Sequence, residues 1–152
     1  MRQPTSALIH PVTQDGTVWV FLLLQRRAMP QLGLPVFWQG ISGGVEEFET
    51  LDQAANRELL EETGIRGVPI YHVGFSRAIS IQPEWIKIYP KGTTEIIEHT
   101  FVCILPEPIQ PKLSWEHTEY AWLQYREAYE RLYYQGNKES LSAAYTWLTT
   151  RT

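Results

Sequence analysis

One stretch of the sequence, residues 43–65, constrains the fold most, because it specifies a helix together with both of its ends. The stretch reads GGVEEFETLDQAANRELLEETGI. Thr50 and Gln53, three residues apart, match the capping box that begins many helices. Gly64 can adopt the left-handed backbone conformation that ends a helix. The stretch therefore predicts a helix over about residues 51–62.

Three acids of this predicted helix share one face. Residues three and four apart on a helix are neighbours, so Glu58, Glu61 and Glu62 form an acidic cluster. Like charges at this spacing repel by roughly 0.2–0.5 kcal/mol per pair, and only Arg57, four residues before Glu61, relieves them locally. A hard divalent cation such as Mg²⁺ prefers carboxylate ligands and would neutralise the cluster. An ordinary solvated acidic helix end is the alternative interpretation.

The spacing of these residues resembles the Nudix box. Gly43 is followed after five residues by Glu49, after seven more by Arg57-Glu58-Leu59, and then by Glu61-Glu62 and Gly64-Ile65. Nine specified positions across twenty-three residues make a chance match remote. The resemblance implies the Nudix fold, an α/β/α sandwich in which a mixed sheet carries the helix of the box. It also implies a pyrophosphohydrolase acting on a nucleoside diphosphate linked to another group.

The rest of the chain predicts strands, followed by two helices. Strands are predicted at 7–11, 17–24, 37–42, 68–81 (interrupted near Gly74), 95–105 and 119–124. Apolar stripes at 128–133 and 141–148 predict the two helices, with Gly136-Asn137 between them. Within the box helix, Leu51, Ala55 and Leu59 are expected to face the core. Strands with one central and two terminal helices predict an α/β sandwich.

Length, charge and cysteine content narrow the class of protein. The 152 residues fit a single domain over 1–152, and the net charge of −4 gives no electrostatic footprint for a nucleic-acid polymer. No run reaches the roughly twenty apolar residues of a membrane helix. The one cysteine, Cys103, lies in an apolar run and is interpreted as a buried strand thiol. We expect a cytoplasmic protein, monomeric or homodimeric, with a small-molecule partner and no membrane contact.

The acidic cluster is the predicted metal site. Glu58 and Glu62, four residues apart, are expected to be the principal ligands, with Glu61 assisting. Mg²⁺ is the expected cofactor, and Mn²⁺ is a possible substitute. The Nudix resemblance gives these three positions the same role and adds the backbone carbonyl of Gly43.

Four further box residues are assigned by their place around the cluster. The resemblance implies that Glu49 and Arg57 pair and hold the loop of the box against its helix, so both belong to the predicted catalytic set. Gly44, beside Gly43, permits a close approach of phosphate that a β-carbon would hinder. Glu46 in the loop could assist the metal site and is assigned to substrate binding, with an ordinary loop acid as the alternative.

The general base is predicted outside the box. The segment Trp115–Trp122 reads WEHTEYAW and resembles the EHxxYxW pattern of several Nudix subfamilies. Glu116 is the best candidate for a metal-linked base or ligand, and a plain loop carboxylate is the alternative. His117 is interpreted as a hydrogen-bonding residue at the entry of a strand.

Substrate contacts are predicted from a pair of arginines and from loop aromatics. Arg26 and Arg27 follow an apolar strand and could meet phosphates, or they could simply be surface charges. Trp38 and Tyr89 lie in or beside loops and could stack on a base, although packing is the alternative for each. Phe48 stands where Nudix boxes usually carry a small glycine.

Two segments, FWQGISGGVEE and EHTEYAWL, resemble dihydroneopterin triphosphate pyrophosphatases. The resemblance implies Mg²⁺-dependent cleavage of a phosphoanhydride bond in a nucleoside or pterin triphosphate, releasing pyrophosphate or a monophosphate product. Dinucleoside polyphosphate hydrolases and MutT-like nucleotide-pool hydrolases share the same frame and are alternatives. A Nudix-fold module that has lost activity and senses a nucleotide is the alternative of a different class.

Overall fold

The computed structural model describes residues 1–151, with side chains at 1–83 and 85–151. Within this range seven strands form one sheet: β1 (Thr5–Asp15), β2 (Val18–Arg26), β3 (Phe37–Gln39), β4 (Ile41–Gly44), β5 (Ile70–Ser80), β6 (Glu95–Ile104) and β7 (His117–Gln124). The three α-helices of the same range are α1 (Leu51–Thr63), α2 (Tyr125–Arg131) and α3 (Gln135–Thr150). Short 3₁₀ helices lie at Pro30–Leu32 and Pro83–Ile88.

The sheet is mixed, as predicted. Its strand order is β3-β2-β1-β6-β5, with β4 paired to β1 and β7 paired to β2. β1 and β6 run parallel, with Ala7 opposite His99, while the other pairs are antiparallel. Long central strands thus bring the box loop, the end of β2 and the start of β7 to one region of the sheet.

Each face of the sheet carries its own hydrophobic core. Strand residues alternate between the two faces, so Phe101 and Cys103 pack towards α1 while Val102 packs towards α2 and α3. Ala55 and Leu59 of α1 are buried in the first core, as predicted. The arrangement confirms the α/β/α sandwich. Cys103 is a buried thiol, also as predicted, and burial raises its pKa to about 12.

The first strand is longer than predicted, because a proline inside it is tolerated. β1 continues past Pro11 to Asp15. Pro11 lies where β1 changes antiparallel partner, since Ile9 is the last residue opposite β4 and Val12 the first opposite β2. A residue without an N–H group removes least from the ladder at such a point.

The predicted strand at 37–42 is in fact two strands. β3 pairs with β2, β4 pairs with β1, and Gly40 connects them. A β-carbon at Gly40 would lie only 3.1 Å from Nδ1 of His10, so the crossing from one strand partner to the next passes close over β1. The sequence shows the two runs as one because a single residue separates them.

The predicted boundary between the terminal helices was wrong. Gly136 and Asn137 lie in the first turn of α3, and Leu132 already follows the end of α2. A β-carbon at Gly136 would lie 2.1 Å from Cζ of Arg77, so the glycine permits close packing of α3 on β5. The interruption of β5 near Gly74 is confirmed: its φ is +80°, and the register shifts there.

Among the described residues, no helix is both long and apolar enough to cross a bilayer.

Candidate active site

The box helix has the ends that the sequence specifies. At Thr50 the backbone N–H donates to Oε1 of Gln53 (2.9 Å), and the backbone N–H of Gln53 donates to Oγ1 of Thr50 (3.1 Å). Gly64 ends the helix with a φ of +79°. Thirteen residues therefore form α1, and the predicted helix is confirmed. The fixed ends determine which way its acids point.

Arg57 ties the loop of the box to the helix. Its Nε and Nη2 donate to the two carboxylate oxygens of Glu49 at 2.7 and 3.0 Å, the bidentate geometry that makes such pairs strong. Nη2 also donates to the backbone carbonyl of Gly44 at 2.9 Å. The hydrogen bonds from Arg57 hold the pKa of Glu49 below its usual value. The pairing that the Nudix resemblance implies is thus present.

Glu58 lies under the glycine pair of the box. Its side chain is 11% exposed, and its Oε1 accepts a hydrogen bond from Nη1 of Arg57 at 2.8 Å. Burial raises the pKa of Glu58 to about 7, with Arg57 opposing the rise and the charges of Glu61 and Glu62 adding to it. A β-carbon at Gly43 would lie 2.1 Å from the carboxyl carbon of Glu58, so only glycine leaves room for this carboxylate.

Glu62 is held from the opposite side by the segment that precedes and begins β7. Its Oε2 accepts a hydrogen bond from Oγ of Ser114 at 2.9 Å. Nδ1 of His117 lies 2.9 Å from the same oxygen, although its angle is poor for a hydrogen bond. Burial alone would raise the pKa of Glu62, but His117, Ser114 and the charge of Arg26 outweigh it and lower the pKa.

The imidazole of His117 is itself oriented by a buried amide. Nε2 of Gln39 lies 3.2 Å from Nε2 of His117, and both side chains are buried. An amide nitrogen that donates to Nε2 requires the ring proton to be on Nδ1, which faces Glu62. The contact from Gln39 to His117 thus orients the imidazole so that its Nδ1 faces Glu62, a predicted metal ligand. This arrangement agrees with a hydrogen-bonding role for His117.

Glu116 and Arg26 form an ion pair next to this group. Nη1 of Arg26 lies 3.0 Å from Oε2 of Glu116. The backbone N–H of Arg27 donates to the carbonyl of Glu116 at 2.8 Å, and its Nε donates to the carbonyl of Trp115 at 3.0 Å. The β2–β7 register shifts between Gln25 and Arg26, where the strand ends. The end of β2 therefore fixes the candidate base beside α1.

The remaining predicted contacts lie in three different surroundings. Tyr89 is 5% exposed and lines a cleft of about 260 Å³ together with Gly43 and Gly44. Oε1 of Glu46 lies 3.4 Å from Nη2 of Arg2, on the rim of a neighbouring cleft. Trp38 packs against the α2–α3 core, with Cζ of Arg131 5.1 Å from its ring centre. The structure therefore does not bring Trp38 to the carboxylates of α1.

The side chains fit a hard divalent cation, although they are not arranged as a finished site. Among the described residues, no three His, Cys, Asp or Glu side chains converge closely enough to hold a metal ion. Arg57 and Ser114 instead bind oxygens of Glu58 and Glu62. The donor set nevertheless consists of carboxylates around a cradle that a β-carbon at Gly43 would fill. Oxygen ligands of this kind suit Mg²⁺ and Mn²⁺.

Sequence reasoning missed two residues of this group, Gln39 and Ser114. Gln39 reaches His117 only because it pairs with Leu24 and so points to the α1 face of the sheet. Ser114 lies in an irregular segment, and its contact with Glu62 joins residues 52 positions apart. In the sequence, the one signal for these two residues is that they stand a few positions from motif residues. That signal does not say which way a side chain points.

Comparison with known proteins agrees with the geometry. The NUDIX domain family matches residues 1–145. Dihydroneopterin triphosphate diphosphatase from Escherichia coli strain K12 is 36% identical over 126 residues, which cover 80% of this chain and 79% of that protein. The solved structure of the E. coli dihydroneopterin triphosphate pyrophosphohydrolase has a TM-score of 0.74 and 30% identity, covering 93% of this chain and 94% of that one.

A further relative shows that similar sequences also occur within longer proteins. An octanoyltransferase from Myxococcus xanthus is 35% identical over 123 residues, which cover 81% of this chain but 31% of that protein. The chain thus spans about a third of that relative's length, and the likeness concerns only the matching segment. Since the family match extends over residues 1–145 and the box residues are assembled around α1, the chain belongs to the Nudix family of hydrolases, which act on phosphoanhydride bonds.

Proposed function

We propose that this protein is a Mg²⁺-dependent pyrophosphohydrolase of a nucleoside or pterin triphosphate, similar to dihydroneopterin triphosphate. The observation that carries the proposal is that Glu58, Glu61 and Glu62 lie close enough on α1 for their charges to interact, with the Arg26–Glu116 pair beside Glu62. The likeness to dihydroneopterin triphosphate diphosphatases over four fifths of the chain supports the choice of substrate.

The metal site of the proposal consists of Glu58 and Glu62, with Glu61 and the backbone carbonyl of Gly43. Mg²⁺ bound there would neutralise charge on the phosphates and lower the pKa of the attacking water. Arg57 keeps Glu58 and the loop of the box in place through its bonds to Glu49 and Gly44. Ser114 and His117 do the same for Glu62 on the other side.

Proton transfer is assigned to Glu116. One of its oxygens, Oε2, is paired with Arg26, and Oε1 is left to accept a proton from water. The water oxygen forms the new bond to phosphorus, and the bond to the bridging oxygen of the leaving phosphate group breaks. Arg26 would also meet the phosphates, since guanidinium matches their geometry. Arg27 is less free for this role because its Nε donates to the Trp115 carbonyl.

A substrate screen tests the reaction class. Wild-type protein with Mg²⁺ is assayed for phosphate and pyrophosphate release from nucleoside triphosphates, dinucleoside polyphosphates, nucleotide sugars and dihydroneopterin triphosphate. The proposal predicts the highest kcat/KM on a triphosphate with release of pyrophosphate. A dinucleoside polyphosphate as the best substrate would favour the alternative hydrolase, and equally feeble rates on all compounds would favour a nucleotide sensor.

Two substitutions test the metal assignment. Glu61→Gln and Glu62→Gln are each expected to lower Mg²⁺-dependent kcat by at least about 100-fold, because each removes a carboxylate needed for transition-state charge neutralisation. Circular dichroism should show that both variants stay folded. Glu139→Gln, an exposed acid on α3, is the matched control and should keep full activity. Turnover like that of the wild type in both box variants would refute the assignment.

A further inference from the structure

The cleft that contains Tyr89 adjoins the proposed reaction centre. Gly43 and Gly44 line it, and the carboxylate of Glu58 lies against Gly43 from the α1 side. Its volume of about 260 Å³ is just below the roughly 300–1,000 Å³ typical of sites for drug-sized ligands. The cleft thus has room for one flat ring system beside the phosphate site, rather than for a whole nucleotide.

The walls of this cleft suit a flat aromatic ligand. Trp85 of the 3₁₀ helix is 45% exposed, although tryptophan is usually well covered, and Tyr89 lies beside it. Ile79 and Ile96 add apolar surface from β5 and β6. An indole face that remains accessible in a cleft can stack on any heterocyclic base, so these residues supply affinity without selecting one base.

A carboxylate in the same cleft can supply the selection. Glu98 on β6 lines the cleft, and its side chain is only 10% exposed. Its Oε1 accepts a hydrogen bond from Nε of Arg77 at 3.1 Å. None of the described side chains donates a hydrogen bond to its Oε2. Because Glu98 lines the cleft, this second oxygen can accept a hydrogen bond from a ligand bound there.

We propose that this cleft is the ring-binding subsite, and that Glu98 selects heterocycles presenting two adjacent N–H donors, the ring N–H and exocyclic amino group that guanine and pterin share. Adenine presents a ring acceptor at the corresponding edge and so leaves the carboxylate unpaired. A site built to hydrogen-bond a donor rejects analogues that lack it. The inference rests on the proposed function for the phosphate chain but concerns a separate group of residues.

The ligand series GMP, IMP and AMP tests the subsite without any mutation. IMP keeps the ring N–H but lacks the amino group, and AMP lacks both donors at that edge. Binding to the wild-type protein, followed by tryptophan fluorescence, is expected to weaken in the order GMP, IMP, AMP. GMP should bind about 10- to 100-fold more tightly than AMP, because hydrogen bonds to a charged group are involved. Equal affinities for the three monophosphates would overturn the proposal.

Two variants separate recognition from the structural role of the ion pair. Glu98→Gln keeps the shape and an acceptor for Arg77 but directs an amide donor or a neutral oxygen at the ligand, so the preference for GMP over AMP should disappear. Arg77→Gln breaks the same ion pair but keeps the carboxylate, and it should keep the preference. Loss of the preference in both variants together with a lower Tm would mean that Glu98 is structural. An unfolded Glu98→Gln leaves the ligand series as the decisive result.

Failure of the subsite and failure of the proposed function give different results. Selective binding of GMP that depends on Glu98, without hydrolysis of GTP or dihydroneopterin triphosphate, would keep the subsite and refute the proposed reaction. Hydrolysis of GTP and ATP with equal KM, unchanged in Glu98→Gln, would keep the reaction and refute the subsite.

Discussion

Phe48 has the most strained backbone of the non-glycine residues that the structure describes. Its φ is +70°, and its side chain is 94% exposed. L-residues other than glycine disfavour this left-handed region by about 1–2 kcal/mol. The exposed ring buries almost no apolar surface, so packing does not offset the strain. The loop is therefore less stable than it would be with a glycine at this position.

We expect Phe48→Gly to stabilise the protein. Relief of strain should outweigh the greater flexibility of glycine in the unfolded chain, giving a gain of about 0.5–1 kcal/mol in the free energy of unfolding. Urea denaturation measures this change in the free energy of unfolding. Glu47→Gly is the matched control, since Glu47 does not have a positive φ, and it should lower stability. A loss of stability in Phe48→Gly similar to that of the control would contradict the strain.

Gln39 is expected to act on the metal site through His117. Gln39→Leu removes the amide that lies 3.2 Å from Nε2 of the imidazole and so leaves the ring free to turn or change tautomer. Loss of such an outer partner typically weakens metal affinity by about 10- to 100-fold. Mn²⁺ binding followed by electron paramagnetic resonance measures the effect independently of turnover.

The control for this variant is Gln14→Leu, which removes an exposed glutamine at the end of β1. It should bind Mn²⁺ like the wild type. If Gln39→Leu lowers only Tm and leaves Mn²⁺ affinity unchanged, Gln39 is a packing residue and does not position the site.

At the scale of the element, the stability of α1 depends on its capping box. Thr50→Ala removes the hydroxyl that accepts the N–H of Gln53 and is expected to lower the free energy of unfolding by about 1 kcal/mol. Thr50→Ser keeps the acceptor and should lower the free energy of unfolding by only a few tenths of a kcal/mol, at about the level expected for a retained cap. Thermal denaturation compares the two. Equal Tm values for Ala and Ser would show that the hydroxyl does not cap the helix.

Helix α1 could be predicted because its signals are local. Thr50 and Gly64 specify its ends, and the three- and four-residue spacing of its acids specifies their common face. Strand ends were less predictable, since β1 continues past Pro11 only because its partner changes there. The roles of Gln39 and Ser114 depend on strand pairing and on contacts between distant segments, which one sequence does not display. Trp38 shows the same limit, because alternation along β3 turns it to the face opposite α1.

At the scale of the molecule, the sheet separates the reaction centre from a second buried polar group. His10 on β1 is fully buried, and its Nε2 lies 2.9 Å from Oγ of Ser140 on α3. The hydroxyl of Ser140 is also 2.7 Å from that of Thr100 on β6. This group joins α3 to the two parallel strands in the middle of the sheet. Desolvation by burial lowers the pKa of His10 to about 4.

Acid should therefore weaken the fold through His10. Its pKa is lower in the folded than in the unfolded state, so the unfolded chain binds the proton first. The contribution of His10 to the free energy of unfolding is fully present above about pH 6.5. It is lost as the pH falls towards 4, and the whole contribution is about 3 kcal/mol. The test is denaturation of the wild type and of His10→Gln at pH 7 and at pH 4.5. Acids such as Glu58 titrate in both proteins, so the extra loss of stability of the wild type at pH 4.5 is due to His10. A difference between them that does not change with pH would contradict the shift.

The whole molecule brings the box, the end of β2 and the entry to β7 together on one side of the sheet. We propose that these segments together cleave a phosphoanhydride with a divalent cation. The most direct test is ³¹P NMR of wild-type protein with GTP or dihydroneopterin triphosphate, in Mg²⁺ and in EDTA. We expect pyrophosphate and a monophosphate in Mg²⁺ and no turnover in EDTA. Release of orthophosphate with a diphosphate product, or equal turnover in EDTA, would contradict it.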